Sequence, residues 1–154
     1  MRYLLIDKIT KIVYHKELTA IKCVTVAEDY FFEHFAGYPV MPGALQIESA
    51  AQAATALLEV SNGFTKKAFL LMVEKIKFRR IVHPGEMLLV NVKIKPLKSD
   101  SALIETDITS GDKRVMDGEM IFGLGDIDKF YPIKTRHLID AFYDYWLKDA
   151  EIIK

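Results

Sequence analysis

Two rhythms alternate along this chain: a period of two in some stretches and a helical period in others. Lys8 to Tyr14 is rich in β-formers, His15-Lys16-Glu17 reads as a polar turn, and Leu18 to Val26 reads as a second strand, so a hairpin is predicted. Glu28 to Gly37 is dense in aromatics and opens into a Gly/Pro-rich loop, with Pro39, Pro42 and Gly43 marking the turn. Pro42 suits a first helical position, where its missing N–H costs nothing. From Gly43 to Val60 the chain contains strong helix formers and no further Pro or Gly. That helix is apolar on nearly every side, which requires burial on nearly every side. Four polar residues interrupt it: Glu48, Gln52, Thr55 and Glu59. Their spacing of four, three and four places them on one stripe, a narrow polar seam on a helix wrapped by protein. Glu59, near the helix end, is expected to reach solvent. The alanines between, such as Ala50, Ala53 and Ala54, permit close approach of another backbone.

Beyond a stop signal at Ser61-Asn62-Gly63 the pattern becomes a meander. Ala68 to Arg80 alternates in part, and Glu86 to Leu97 places Leu88, Val90, Val92 and Ile94 on one face. Ala102 to Thr109 has an ambiguous inward face, and Arg114 to Gly123 is the last strand of the series. Turns are read at His83-Pro84-Gly85, Ser99-Asp100 and Ser110 to Lys113. Two strands, one long helix and four strands predict an α+β fold, with an antiparallel sheet of about six strands around a central helix. A doubly wound parallel fold is excluded by the absence of strand–helix alternation. Residues 126–154 differ. Leu138, Ile139, Phe142, Tyr145, Trp146, Asp149 and Ile153 recur at helical intervals, and Thr135 suits an N-cap. The expected division is a domain over 1–125 and a C-terminal helical extension over 126–154.

Composition narrows the function. Lys plus Arg and Asp plus Glu are 21 each, so no overall basic field invites nucleic acid. The seam excludes the long helix as a membrane span. The single Cys23 reads as a small buried hydrophobe, and no His or Cys spacing suits a metal, so neither metal nor other cofactor is expected. The short apolar patch near the start lacks the features of an export signal, which fits a cytoplasmic location.

The chemistry concentrates between His34 and Gln52. A carboxylate on an apolar helix, Glu48, is costly unless hydrogen-bonded; the bland alternative is an ion pair with Lys75 or Lys77. His34 sits in the loop and can act as a base near neutral pH, or simply pack on Phe31 or Phe35. A helix starting at Gly43 offers free N–H groups at its positive end, suited to charge building on a carbonyl oxygen. A base, an acid and an oxyanion donor suit removal of a proton alpha to a carbonyl with loss of a β-hydroxyl as water.

The run from His34 to Leu45 (HFAGYPVMPGAL), with Ile47-Glu48 and Ala51-Gln52, resembles the signature of bacterial (3R)-hydroxyacyl-acyl-carrier-protein dehydratases, glutamate-type branch. Leu4 to Ile9, Ala20 to Thr25 and Lys77 to Glu86 resemble other segments of that family, so the likeness covers about four fifths of the chain. It implies a hot-dog fold and a homodimer, commonly assembled into hexamers, with each site between subunits. It implies catalytic roles for His34 and Glu48, an oxyanion or substrate-binding role for Gly43, and support from Gln52. The reaction implied converts (3R)-3-hydroxyacyl thioesters on acyl carrier protein to trans-2-enoyl thioesters, in fatty-acid or related acyl or polyketide biosynthesis, without isomerisation. The acidic carrier would be steered by Arg79, Arg80, Lys66, Lys67 and Lys98. Two positions depart from the pattern: Glu33 replaces Gly before the histidine, and Ala36 replaces Pro after it. They motivate one alternative, a catalytically weak hot-dog subunit that binds acyl carrier or pairs with an active homologue. A thioesterase or a hydratase acting on coenzyme A thioesters is the other alternative.

Overall fold

The computed structural model describes residues 3–98, 100–131, 134 and 136–154. Strands β1 (Lys8–Val13) and β2 (Glu17–Cys23) form the expected hairpin. A 3-10 turn at Asp29–Phe32 and a loop lead to helix α1 (Gly43–Ser61). Then come β3 (Lys66–Phe78), β4 (Met87–Lys98), β5 (Ser101–Ser110) and β6 (Lys113–Asp126). Helix α2 (Arg136–Leu147) and a short β7 (Glu151–Ile153) complete the chain.

The strands make one sheet in the order β3-β6-β5-β4-β2-β1-β7. Every pairing is antiparallel except β1 with β7. The sheet wraps α1, which touches β2, β3, β4 and β5. Period-two alternation sends Leu88, Val90 and Val92 of β4 inward, with Met116, Met120 and Phe122 of β6. On β5 the inward set is Ala102, Ile104, Thr106 and Ile108, which settles that strand's face. The helix answers with Ala50, Ala53, Ala54 and Ala56, all fully buried, so its backbone approaches the sheet closely. Each large aliphatic side chain removed from water stabilises the fold by roughly 1.5–3 kcal/mol.

Several expectations require correction. Pro42 is the N-cap rather than the first helical residue, and its carbonyl accepts from the Leu45 and Gln46 N–H groups at 3.0 and 3.3 Å. Cys23 is exposed. The alternation that buries Leu18 and Ala20 also buries Lys22, whose ammonium is matched by Glu28 at 2.5 Å and Asp7 at 3.9 Å. The tail is not helical to its end. After Leu147 the chain turns, and β7 pairs in parallel with the otherwise free edge of β1. Those unpaired β1 groups offer Ile152 and Ile153 a ladder that continued helix could not. The N-cap expected at Thr135, the turn residue Ser99, and the side chains of Leu97, Lys98 and Leu138 lie outside the described residues.

Helix α2 packs on β1 and is stitched to the body by two buried bonds. The Trp146 indole donates to the Ile6 carbonyl at 3.1 Å, and the Tyr143 hydroxyl donates to Glu59 Oε2 at 2.8 Å. Its inward face is Ile139, Phe142, Tyr143 and Trp146, whereas Tyr145 is 71% exposed and faces water. Trp146→Ala should therefore cost about 3–5 kcal/mol in urea unfolding, while Tyr145→Ala should stay within about 0.5 kcal/mol of wild type. Equal costs would show that α2 docks by a different face.

Candidate active site

The His34 loop is held by its own backbone and by a neighbouring turn. The His34 N–H donates to the Tyr30 carbonyl at 3.0 Å, and the Val40 N–H donates to the His34 carbonyl at 2.9 Å. The ring stacks on Phe35 with centroids 4.2 Å apart, and Nδ1 lies 2.8 Å from the Val40 carbonyl. A carbonyl only accepts, so Nδ1 carries the proton and the Nε2 lone pair stays available as a base. Packing on Phe35 and readiness for chemistry coexist in one side chain. Of the two unusual positions, Glu33 adopts φ −112° and ψ −24°, a region open to any residue. The left-handed backbone the loop needs falls instead at Gly37, φ +76°.

A second layer braces this loop. His83 Nδ1 lies 2.9 Å from the Pro39 carbonyl, and the Met41 N–H donates to the Val82 carbonyl at 2.9 Å. Glu86 fixes that turn by accepting from the His83 N–H at 2.9 Å and from Arg80 through both oxygens, at 3.1 and 2.5 Å. The Arg80 guanidinium holds the Glu86 carboxyl down at about 2. Sequence reading marked His83 only as a turn residue and missed Glu86.

Glu48 stands half-buried on α1. Neither Lys75 nor Lys77 holds it; Lys75 pairs with Glu119. Its partner is Gln52, one turn on, whose Nε2 donates to Glu48 Oε1 at 3.0 Å. The same amide donates to the Tyr3 carbonyl at 2.7 Å, and its oxygen accepts from the Leu5 N–H at 2.9 Å. Both ends of Gln52 are thus committed to the N-terminal segment, which fixes the direction of the bond to Glu48. Gly43 opens the helix, so its N–H has no acceptor one turn earlier. A Cβ there would lie 2.7 Å from the Phe78 ring, so only glycine fits without moving that ring.

All four seam residues, Glu48, Gln52, Thr55 and Glu59, line one cavity of about 670 Å³. The remaining walls are mostly apolar. His34 and Gly43 do not line it, so one protomer does not bring the proposed base and acid into a shared cavity. Glu59 overturns the expectation that it reaches solvent: it is 1% exposed. Lys67 reaches its Oε1 at 2.7 Å, the Ala68 N–H donates to the same oxygen at 3.2 Å, and Tyr143 takes Oε2. Burial first, then the Glu59 charge, push the Tyr143 phenol upward, so it remains a donor.

Four of the five basic candidates have carboxylate partners; the Lys98 side chain lies outside the described residues. Arg79 grips Asp117 at 2.5 and 2.9 Å, Arg80 grips Glu86, Lys66 pairs with Asp126, and Lys67 pairs with Glu59. Among the described residues no group of three or more His, Cys, Asp or Glu side chains is arranged to hold a metal. No described helix is long and apolar enough to cross a membrane.

A sheet wrapped around one long helix, with a histidine-bearing loop at the helix start, defines a hot-dog protein. Solved structures share this fold: a conserved protein from Pseudomonas aeruginosa (TM-score 0.63, 18% identity, covering 77% of this chain and 87% of that one); the fluoroacetyl-CoA thioesterase FlK (TM-score 0.63, 14%, covering 82% and 96%); and the dehydratase heterocomplex ApeI:P from Xenorhabdus doucetiae (TM-score 0.55, 23%, covering 71% and 88%). The FabA-like domain model matches residues 1–122, and the chain belongs to that family. Its relatives include 3-hydroxyacyl-[acyl-carrier-protein] dehydratases FabZ. That of Pediococcus pentosaceus is 41% identical over 127 residues, covering 82% of this chain and 85% of the relative. That of Clostridium kluyveri is 40% identical over 125 residues, covering 80% and 87%.

The Glu86 brace can be tested by pH. Its carboxyl falls from an ordinary 4.5 to about 2 in the fold, so the stabilisation is complete above about pH 4.5 and is lost as pH falls toward 2. Arg80→Gln should lower stability near neutral pH by about 1–2 kcal/mol, discounted for partial exposure. The gap from wild type in urea unfolding should close in acid. A gap independent of pH would remove the carboxylate from the account.

Proposed function

We infer that this protein dehydrates (3R)-3-hydroxyacyl thioesters on acyl carrier protein to trans-2-enoyl thioesters, in fatty-acid biosynthesis. The observation that carries the reading is Glu48: its carboxyl, aimed by Gln52, borders a mostly apolar cavity of ligand size. The identity of about 40% with dehydratase relatives supports it. His34 Nε2 takes the proton from C2. Charge builds on the thioester oxygen, where the Gly43 N–H at the positive helix end stabilises it. The C3–O bond then breaks, Glu48 gives its proton to the departing hydroxyl, and water leaves. Return of the proton from His34 to Glu48 through solvent resets the site. A glutamate rather than an aspartate at position 48 accords with dehydration alone. The domain over 1–125 holds these four residues. No metal or cofactor takes part.

Two protomers are required in this scheme, with His34 of one protomer facing Glu48 of its partner. Strand β3 supplies the reason to pair. It is a sheet edge of 13 residues, and Leu71, Met72 and Val73 are 66%, 50% and 42% exposed. A long apolar edge with unpaired backbone groups invites a second strand. A homodimer formed by two β3 strands about a twofold axis satisfies it, and further assembly to a hexamer would build on that unit. With its intramolecular ion pairs satisfied, the surface around Arg79, Arg80, Lys66 and Lys67 would meet the carrier by exchanging partners rather than as free charge. The protein's location is the cytoplasm on this reading.

His34→Ala and Glu48→Gln should each reduce kcat by about 10²–10⁴-fold. Refolding the two inactive variants together should restore about a quarter of wild-type turnover, because half the pairs are mixed and each has one intact site. No recovery would show that His34 and Glu48 act within one protomer or not together at all. Leu71→Lys should shift the species in sedimentation from dimer to monomer and abolish turnover; an active monomer would refute the shared site.

A further inference from the structure

Residues 123–154 lie beyond the stretch matched to the FabA-like family, yet they complete the cavity that begins at Glu48. Its volume of about 670 Å³ falls within the ~300–1,000 Å³ of small-ligand sites. Along α1 it runs from Glu48 to Glu59, about 16 Å at ~1.5 Å per residue. Ile139, Phe142 and Trp146 of α2 form one apolar wall, and Phe69, Leu70 and Phe122 of the sheet also line the cavity. This wall is fixed, because Tyr143 is bonded to Glu59 and Trp146 to Ile6.

The two ends of the cavity differ in kind. Among the described residues Glu48 has Gln52 as its one hydrogen-bond partner, and it borders open space. Glu59 is fully buried, and Lys67, Ala68 and Tyr143 satisfy its oxygens. A hydrocarbon end reaching that pair meets ions already matched. Pressing further would strip water from the Lys67 ammonium, whose side chain is still 20% exposed. The polar pair acts as a stop, and α2 as the wall that forces a chain to run into it.

Given the dehydratase reading above, we propose that α2 sets the upper length of the acyl chain this protein processes, with Phe142 and Ile139 as specificity-determining residues. Each methylene enclosed by the walls improves kcat/KM by about fourfold. Beyond the length the cavity holds, the gain ends and the rate falls. Both side chains are only partly buried and line the cavity, and Phe142 is the better probe because it is the larger.

The test is kcat/KM for a homologous series of (3R)-3-hydroxyacyl-carrier thioesters, from short to long chains. In wild type the rise should break at an intermediate length. Phe142→Ala and Ile139→Ala should each move the break to longer chains, and Phe142→Trp should move it to shorter ones. An unmoved break in all three folded variants, or a rise without a break, would overturn the proposal. The chain's one tryptophan, Trp146, gives a readout independent of turnover. Saturated acyl-carrier thioesters should shift its emission only once the chain is long enough to reach α2, with the onset moving in the variants. Turnover without any length-dependent emission shift would sink the α2 assignment alone. A length-dependent shift without turnover would keep the wall and sink the dehydratase reading.

Discussion

Burying a helix inside a curled sheet leaves almost no room for polar atoms, and this fold is shaped by the few that α1 carries. The two glutamates on the seam resolve that constraint in opposite ways. Glu59 is buried to 1% exposure and saturated by an ammonium, a phenol and a backbone N–H. Glu48 accepts a bond from Gln52 and borders the cavity. A saturated carboxylate is architecture, and one with spare capacity beside a hollow can do chemistry. The seam therefore orders the molecule along α1, from a carboxylate with spare hydrogen-bonding capacity to a saturated one.

The histidine loop shows the same economy. Adjacent carbonyls, Pro39 and Val40, accept from two different histidines, His83 and His34. Both rings are thereby held with Nδ1 protonated. One histidine is braced by the Glu86–Arg80 pair and steadies the loop; the other leaves Nε2 free. These bonds fix the position of the loop.

Much of this was legible in the sequence because it rests on periodicity and local chemistry. The seam spacing placed Glu48, Gln52, Thr55 and Glu59 on one face, and they line one cavity. The alternation in β4 fixed its buried face. What escaped needed partners distant in sequence. Glu59 looked solvent-bound because Tyr143 lies 84 positions away. Cys23 looked buried until the phase of β2 put Lys22 inside instead, a position tolerable only beside Glu28 and Asp7. Lys67 read as a surface cation but reaches inward, drawn by a charge that sequence placed outside. Strand β7 was unreadable because it forms only against the free side of β1.

That last strand governs how the molecule can grow. A sheet with two bare margins can recruit neighbours without end. Here one margin, at β1, is covered by Glu151–Ile153, a strand of three. The long β3 margin stays open, and two copies joined there would each present only the capped side outward. On that pairing the outer margins would each offer only a three-residue strand, too short to template a long ladder.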